Sequence, residues 1–322
     1  MTLCEPVKIL YQRFCRLILS VHKKTSRLAV LGELGHYPLL VQSFIQTLKY
    51  KWSLFSNTHC DSLVRDALSE MSSYADTGED CWLSRVRKLE SLFNIPSLRN
   101  NLKKEVAGNS IEKRVKSEFD RFWLDEINAV KIVNDHNSNK LRFYSTLKSS
   151  FSREPYFDLV HSRNQRSFLT RLRCSAHRLE IEKLRYSKPA IPPSSRTCGF
   201  CQSGQIGDEM HFLMKCDTFN TKRACFMGKM NSILPGFRDM SEQNKLLTIL
   251  CPRSTAATKV VNKFIRIMFL ARDNITEGLE TETYPTMPAN IYPFSSDFDD
   301  FSDCDEWEQS FAEHSFSEYE ND

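Results

Sequence analysis

Residues 198–216 read CGFCQSGQIGDEMHFLMKC. Three cysteines and one histidine stand there as Cys198-x2-Cys201-x9-His211-x4-Cys216. Whether these four side chains meet at one ion decides what kind of fold surrounds them. Zinc takes four tetrahedral ligands, and thiolate with imidazole suits it. The C-x2-C step lets a tight turn aim two thiolates at one centre, with Gly199 placed to ease that turn. A short helix over 208–216 brings His211 and Cys216 within about one turn of each other, and Asp208 and Glu209 then favour its N-terminal dipole. A Cys3His set keeps no open position, so one zinc here is structural rather than catalytic. The alternative is four ordinary reduced side chains in a packed domain. Cys174, His177 and Cys225 are nearby spares that can replace a named ligand.

Just upstream, residues 163–188 carry Arg163, Arg166, Arg171, Arg173, Arg178, Lys183, Arg185 and Lys188 against Glu180 and Glu182. Phe168 and Tyr186 are interleaved. Cations for phosphate and planar groups for bases make this a candidate nucleic-acid face, with Arg166, Arg171, Arg173, Arg178, Lys183 and Arg185 as its contacts. An exposed, merely solvated basic helix has the same composition. The wider charge pattern agrees with nucleic acid. All 44 Lys and Arg lie at or before Arg272, whereas 15 of the 40 Asp and Glu follow it, so residues 1–272 carry +19. A basic body suits RNA or DNA. The acidic end is punctuated by Pro285, Pro288 and Pro293 and predicts disorder over 276–322. Its Phe294, Phe298, Phe301, Trp307, Phe311 and Phe316 mark an acidic-aromatic segment suited to a protein partner.

Apolar residues make up 41% of the 322-residue chain, with only 10 glycines. That composition favours a mostly α, irregular helical domain with a small zinc-stabilised module. Leu10, Phe14, Leu17, Ile18 and Val21 recur at helical spacing between basic positions. Pro38 opens a helix whose apolar face is Val41, Phe44, Ile45, Leu48, Trp52 and Phe55. Shorter helices are expected at 60–73, 81–93, 139–150 and 163–174. Asn109 and Glu112 form a candidate capping box, followed by Ile111, Val115, Phe119, Phe122, Trp123, Ile127 and Val130 on one side. Further helices are expected at 242–250 and at 256–272, the latter with Val260, Val261, Phe264, Ile265, Met268 and Phe269 inward. The 11 cysteines are odd in number. Glu5, Lys8, Arg13 and Arg16 break any secretory leader, and no run approaches the ~20 apolar residues of a membrane span. An intracellular chain, nuclear or cytoplasmic, with reduced thiols is expected.

TRLRCSAHRLEIEKLRY (170–186), the prolines 189, 192 and 193, and the C-x2-C…DEMHFLMKC series together resemble the C-terminal region of LINE-type (non-LTR) retrotransposon reverse transcriptases. AVLGELGHYPLLVQSFIQTLKY (29–50) is similar to the segment that follows their polymerase domain, so the likeness spans roughly 8–272. The resemblance implies a post-polymerase region that helps hold element RNA or target DNA. It assigns Cys198, Cys201, His211 and Cys216 to the family's Cys-Cys-His-Cys positions, and Arg171, Arg173, His177, Arg178 and Glu182 to the preceding motif. Glycine is common in the family where Leu184 stands, and the acidic tail is foreign to it. The expected organisation is a thumb-like or connector region at 1–160, the basic helix with the zinc region at 161–275, and the tail. Polymerase chemistry needs paired carboxylates on two metal ions, and Tyr74-Ala75-Asp76-Thr77 lacks the second Asp. No P-loop, GxGxxG, HExxH or GxSxG motif occurs. The expectation is therefore a non-catalytic, nucleic-acid-binding, zinc-binding protein without a small-molecule substrate or membrane partner. The alternatives are a zinc-ordered interaction module working through its tail, or an inert retrotransposon remnant.

Overall fold

The computed structural model describes residues 5–56, 62–95, 104–132, 140–160 and 162–276. The chain is mostly helical: α1 (Glu5–Leu19), α2 (Arg27–Leu34), α3 (Leu39–Ser56), α4 (Ser62–Asp76), α5 (Trp82–Leu92), α6 (Lys104–Ile132), α7 (Tyr144–Leu147), α8 (Tyr156–Leu159), α9 (Arg163–Arg173), α10 (Glu180–Lys183), α11 (Asn220–Ile233), α12 (Glu242–Leu250) and α13 (Thr255–Thr276). Among the described residues there is no strand, and Thr197 and Ile206 form an isolated antiparallel bridge. No single helix described is long and apolar enough to cross a membrane. The tail beyond Thr276, expected to be disordered, lies outside the described residues.

Local chemistry explains the helix ends that can be read. Cys81 caps α5 reciprocally: its thiol accepts from Ser84 N–H while Ser84 Oγ accepts from Cys81 N–H, a capping box with sulfur in place of oxygen. Ser241 Oγ accepts from Asn244 N–H at the start of α12. Gly35 ends α2 at φ 62, and a Cβ there would sit 2.3 Å from the Arg153 nitrogen, so only glycine fits.

Two expectations change, and a third helix shows which of its sides is buried. Asn109 lies inside α6, which begins five residues earlier at Lys104, so it caps nothing. The helix expected over 139–150 shrinks to the single turn α7. In α1 the side that turns inward carries Gln12, Cys15 and Leu19, while Val7, Leu10, Phe14 and Leu17 stay exposed. Helices α2 and α11 were not anticipated. Gly32 sits within α2 and does not interrupt it.

The described residues form two compact units. One comprises 5–11 and 37–125. In it α5 packs on α3 and α4, with Phe44 and Phe93 rings 5.7 Å apart. The α6 stripe Ile111, Val115, Phe119, Phe122 and Trp123 is buried as its spacing predicts. The other unit comprises 12–36 and 126–276. Here α13 packs on α8, α9 and α11, and Val261, Phe264, Ile265, Met268 and Phe269 are buried. Helix α9 finds partners at Glu33, Glu154 and Tyr156, as follows.

Candidate metal centre and its buried ionic frame

Arg196 to Gly207 forms a hairpin-like loop. Cys198 N–H donates to Gln205 O (2.8 Å) and Gly207 N–H to Arg196 O (2.9 Å). The left-handed residue that lets the loop return is Gly204, at φ 68, rather than Gly199. Cys198 and Cys201 lie on this loop, and Phe200 N–H points at Cys198 Sγ (3.4 Å).

His211 and Cys216 come from the following turn, which is a π-turn (His211–Lys215) rather than α. In an α-helix five residues rotate about 140° beyond a full turn, so the two side chains would diverge. The Cys216 N–H to His211 O bond (2.7 Å) widens the turn and returns both to one side. Arg223 on α11 holds that turn, with Nε on Leu213 O (3.0 Å) and Nη2 on Cys216 O (2.7 Å).

The four ligand atoms lie within 4.8 Å of one another and form a group that can hold a metal ion. Cys198 Sγ and Cys216 Sγ are 3.9 Å apart, and Cys201 Sγ and His211 Nε2 are 3.2 Å apart. A tetrahedral ion bound by thiolates and imidazole spreads its donors about 3.5–3.8 Å, so the cluster needs only small adjustments. Gln205 Oε1 lies 3.1 Å from His211 Nδ1. An amide oxygen there accepts the Nδ1 proton and leaves the Nε2 lone pair facing the thiols. Burial pushes the Cys216 thiol up to about 12 and raises Cys198 as well. Burial also opposes the Cys201 thiolate, but hydrogen bonds from Ser203 outweigh it and lower that thiol. A cation loading the site therefore displaces protons, and acid opposes loading. Of the spares, Cys225 is exposed on α11, and Cys174 and His177 are buried away from the cluster.

Beside the loop lies an ionic frame whose centre, Arg142, Glu182, Glu209 and His177, is buried. Glu209 does not serve the helix dipole. Its carboxylate accepts from Arg142 Nη2 (2.6 and 2.7 Å) and lies 2.7 Å from His177 Nε2. Arg142 Nη1 also meets Glu182 (2.5 Å), which Arg185 holds from the other side (3.0 Å). Burial opposes the Glu209 charge, yet Arg142 and then His177 outweigh it and hold the carboxyl well below the usual range. A depressed folded pKa contributes stability above the ordinary Glu value of 4.5 and loses it as pH falls toward the folded value. In urea titrations from pH 6 to 3, Glu209→Gln is expected to flatten the acid loss of stability by up to one proton's slope. An unchanged slope would remove Glu209 from the frame's electrostatics.

A second buried network fixes α9. Arg173 Nη2 meets Glu33 Oε1 (2.9 Å) and Glu154 Oε2 (2.8 Å), and its Nη1 donates to Leu250 O (2.8 Å). Tyr156 O–H donates to Glu33 (2.6 Å). Rings link this frame to the metal loop. Phe168 stacks on Phe269 (5.7 Å), Phe269 contacts Phe212 (5.1 Å), Phe212 contacts Phe219 (5.3 Å), and Phe219 lies 6.2 Å from Phe200. Arg272 sits 5.0 Å over Phe200 and pairs with Glu180 (2.9 Å).

The six residues expected to touch nucleic acid therefore separate. Arg173 is buried among carboxylates and cannot reach a phosphate, which corrects its assignment. Arg166 bonds Val160 O and stacks on Phe157, Arg171 bonds Ser20 O, and Arg185 pairs with Glu182. Arg178 and Lys183 are exposed. Phe168 is a core ring rather than a base platform, whereas Tyr186 is 50% exposed. Lys24 and Lys140 place their ammonium groups 4.8 and 5.6 Å from the Tyr186 ring. Partial burial lowers the His22 pKa, and Lys140, Lys23, Lys24 and Arg178 lower it further, so these cations share one surface. Sequence reasoning missed Lys23, Lys24 and Lys140, which are far from α9 in the chain, although the Lys23-Lys24 pair was a signal. It also missed Gln205, Arg142 and Glu33.

No protein-family model matches the chain, and neither do curated proteins or solved structures.

Proposed function

We propose that this chain is a non-catalytic, zinc-ordered nucleic-acid-binding protein related to the post-polymerase region of LINE-type reverse transcriptases, acting inside the cell. The observation that carries the binding reading is the surface of His22, Lys23, Lys24, Lys140 and Arg178 around the exposed Tyr186 ring. Ammonium groups suit phosphates, and an exposed phenol ring suits an unpaired base. Zinc is the proposed ion because a closed Cys3His set favours it and leaves no position for substrate. Cys198, Cys201, His211 and Cys216 would hold it, and it would supply a cross-link between the loop and the π-turn.

The test is RNA and DNA binding across a salt series. Affinity should fall steeply with salt, since each neutralised phosphate contributes about 0.7–0.9 to the logarithmic slope. Lys23→Gln, Lys24→Gln and Lys140→Gln together should reduce that slope by about two to three units. Tyr186→Ala should weaken single-strand binding by about 1–3 kcal/mol. Binding that is absent, or insensitive to salt and to the triple change, would transfer the reading to a protein-interaction module.

A further inference from the structure

Helix α10 has four residues, too few to be stable alone. Its Ile181 N–H falls in the first turn and its Ile181 C=O in the last, so neither has an α-helical partner within it. The base of the metal loop supplies both partners. Ile181 N–H donates to Gly207 O (3.2 Å), and Arg196 Nη1 donates to Ile181 O (2.9 Å). Arg196 and Gly207 are also the residues that close the loop on each other. One hydrogen-bonded pair therefore grips both backbone groups of one residue. The approach is close: a Cβ on Gly207 would lie 2.6 Å from Glu180 Oε2 and 2.9 Å from Glu180 Cβ. Arg142 adds a further link, joining Glu182 of α10 to Glu209, just before His211. Arg178 immediately precedes this turn, and Tyr186 ends the 3-10 turn Leu184–Tyr186 that continues it.

We infer that the metal loop positions the Tyr186 surface through this clamp on Ile181, so that filling the metal site and binding nucleic acid there are coupled. The inference rests on the zinc-ordered, nucleic-acid-binding reading above. Cys198 and Cys201 sit on the loop, and His211 and Cys216 on the π-turn, so a shared ion fixes one against the other. Once that tie is gone, the hairpin bonds alone hold Arg196 and Gly207 in place. α10 then keeps its buried Leu179 and Ile181 side chains and loses the partners of its backbone. Such coupling is reciprocal: nucleic acid tightens zinc by the factor by which zinc tightens nucleic acid.

The full-length protein, zinc-loaded and chelator-treated, is followed by hydrogen exchange with mass spectrometry and by the anisotropy of a fluorescent single-stranded oligonucleotide at fixed salt. Zinc removal should speed exchange over 179–187 by about tenfold more than in the α13 core, and should weaken the oligonucleotide by about tenfold. Gly207→Ala retains all four ligands. It should keep one zinc per chain, yet exchange over 179–187 and bind oligonucleotide as the metal-free protein does. Arg196→Gln should do the same and serves if Gly207→Ala fails to fold. Equal acceleration in 179–187 and α13 would make the ion a general staple and overturn the clamp. Zinc-loaded variants that match the wild type in exchange would also overturn it. A zinc-loaded protein that binds no oligonucleotide refutes the nucleic-acid reading alone, because the exchange result still decides the clamp. A wild-type protein without zinc refutes the zinc reading and the clamp together.

Discussion

Protein in which Cys198 and Cys201 are both replaced by serine is expected to lose its metal and much of its stability. Purified wild-type protein should carry about one zinc per chain, and the double variant almost none. Structural zinc contributes ~10–16 kcal/mol in small peptides, comparable to the total stability of an ordinary domain. The loss here will be smaller, because Arg223, Arg272 and the ring series from Phe168 to Phe200 also hold the loop. A loss of several kcal/mol corresponds to about 10 °C or more in Tm for a unit of this size. A chelator should reproduce the drop in the wild-type protein and leave the variant unaffected. Full zinc content in the double variant would show that the ion sits elsewhere.

Arg173→Ala is expected to destabilise the protein by about 3–5 kcal/mol, because it leaves Glu33 buried without its cation. The side chains of Arg173 and Glu33 are both 0% exposed, so the full desolvation cost of the remaining charge applies. Arg173→Met combined with Glu33→Gln should recover most of that loss, since a matched neutral pair removes the unpaired charge. Urea unfolding of the three proteins measures it. A stable Arg173→Ala protein that binds nucleic acid less well would restore the role first expected from sequence. The contrast with the exposed Lys23 and Lys24 is direct: changes there should alter binding and leave stability nearly intact, as exposed substitutions do.

Much of the helical pattern was legible before any coordinate. The stripes of α6 and α13 are long and strongly periodic, and Ile111, Val115, Phe119, Phe122, Trp123 and Ile127 of the one and Val261, Phe264, Ile265, Met268 and Phe269 of the other are buried as periodicity places them, with Val260 half-buried. The expected ranges 163–174 and 242–250 match α9 and α12 to within one residue. α1 resisted the same reasoning, because it is apolar on more than one side and periodicity does not say which side meets the core. Its most regular stripe is the exposed one. The ligand set was legible for a different reason. Four soft donors at closable spacing are rare by chance, and they lie close enough in sequence for one loop and one turn to join them.

Arginine was the misleading signal. Charge in a sequence carries no information on burial, and a guanidinium with five donors serves equally as a phosphate contact or as an internal cross-link. Arg142, Arg173, Arg196, Arg223 and Arg272 are all buried here, so part of the basic excess is spent inside the fold. The sequence by itself determined a mostly helical chain, the four candidate ligands and the separation of a basic body from an acidic tail. These depend on periodicity, short spacing and composition, which are local properties. Only the tertiary structure decided that a π-turn aligns His211 with Cys216, that Arg173 belongs to Glu33, and that Lys24 and Lys140 meet at Tyr186. Each of these depends on residues distant in the chain, or on a backbone widened by its packing, and neither is encoded in a window of neighbouring residues.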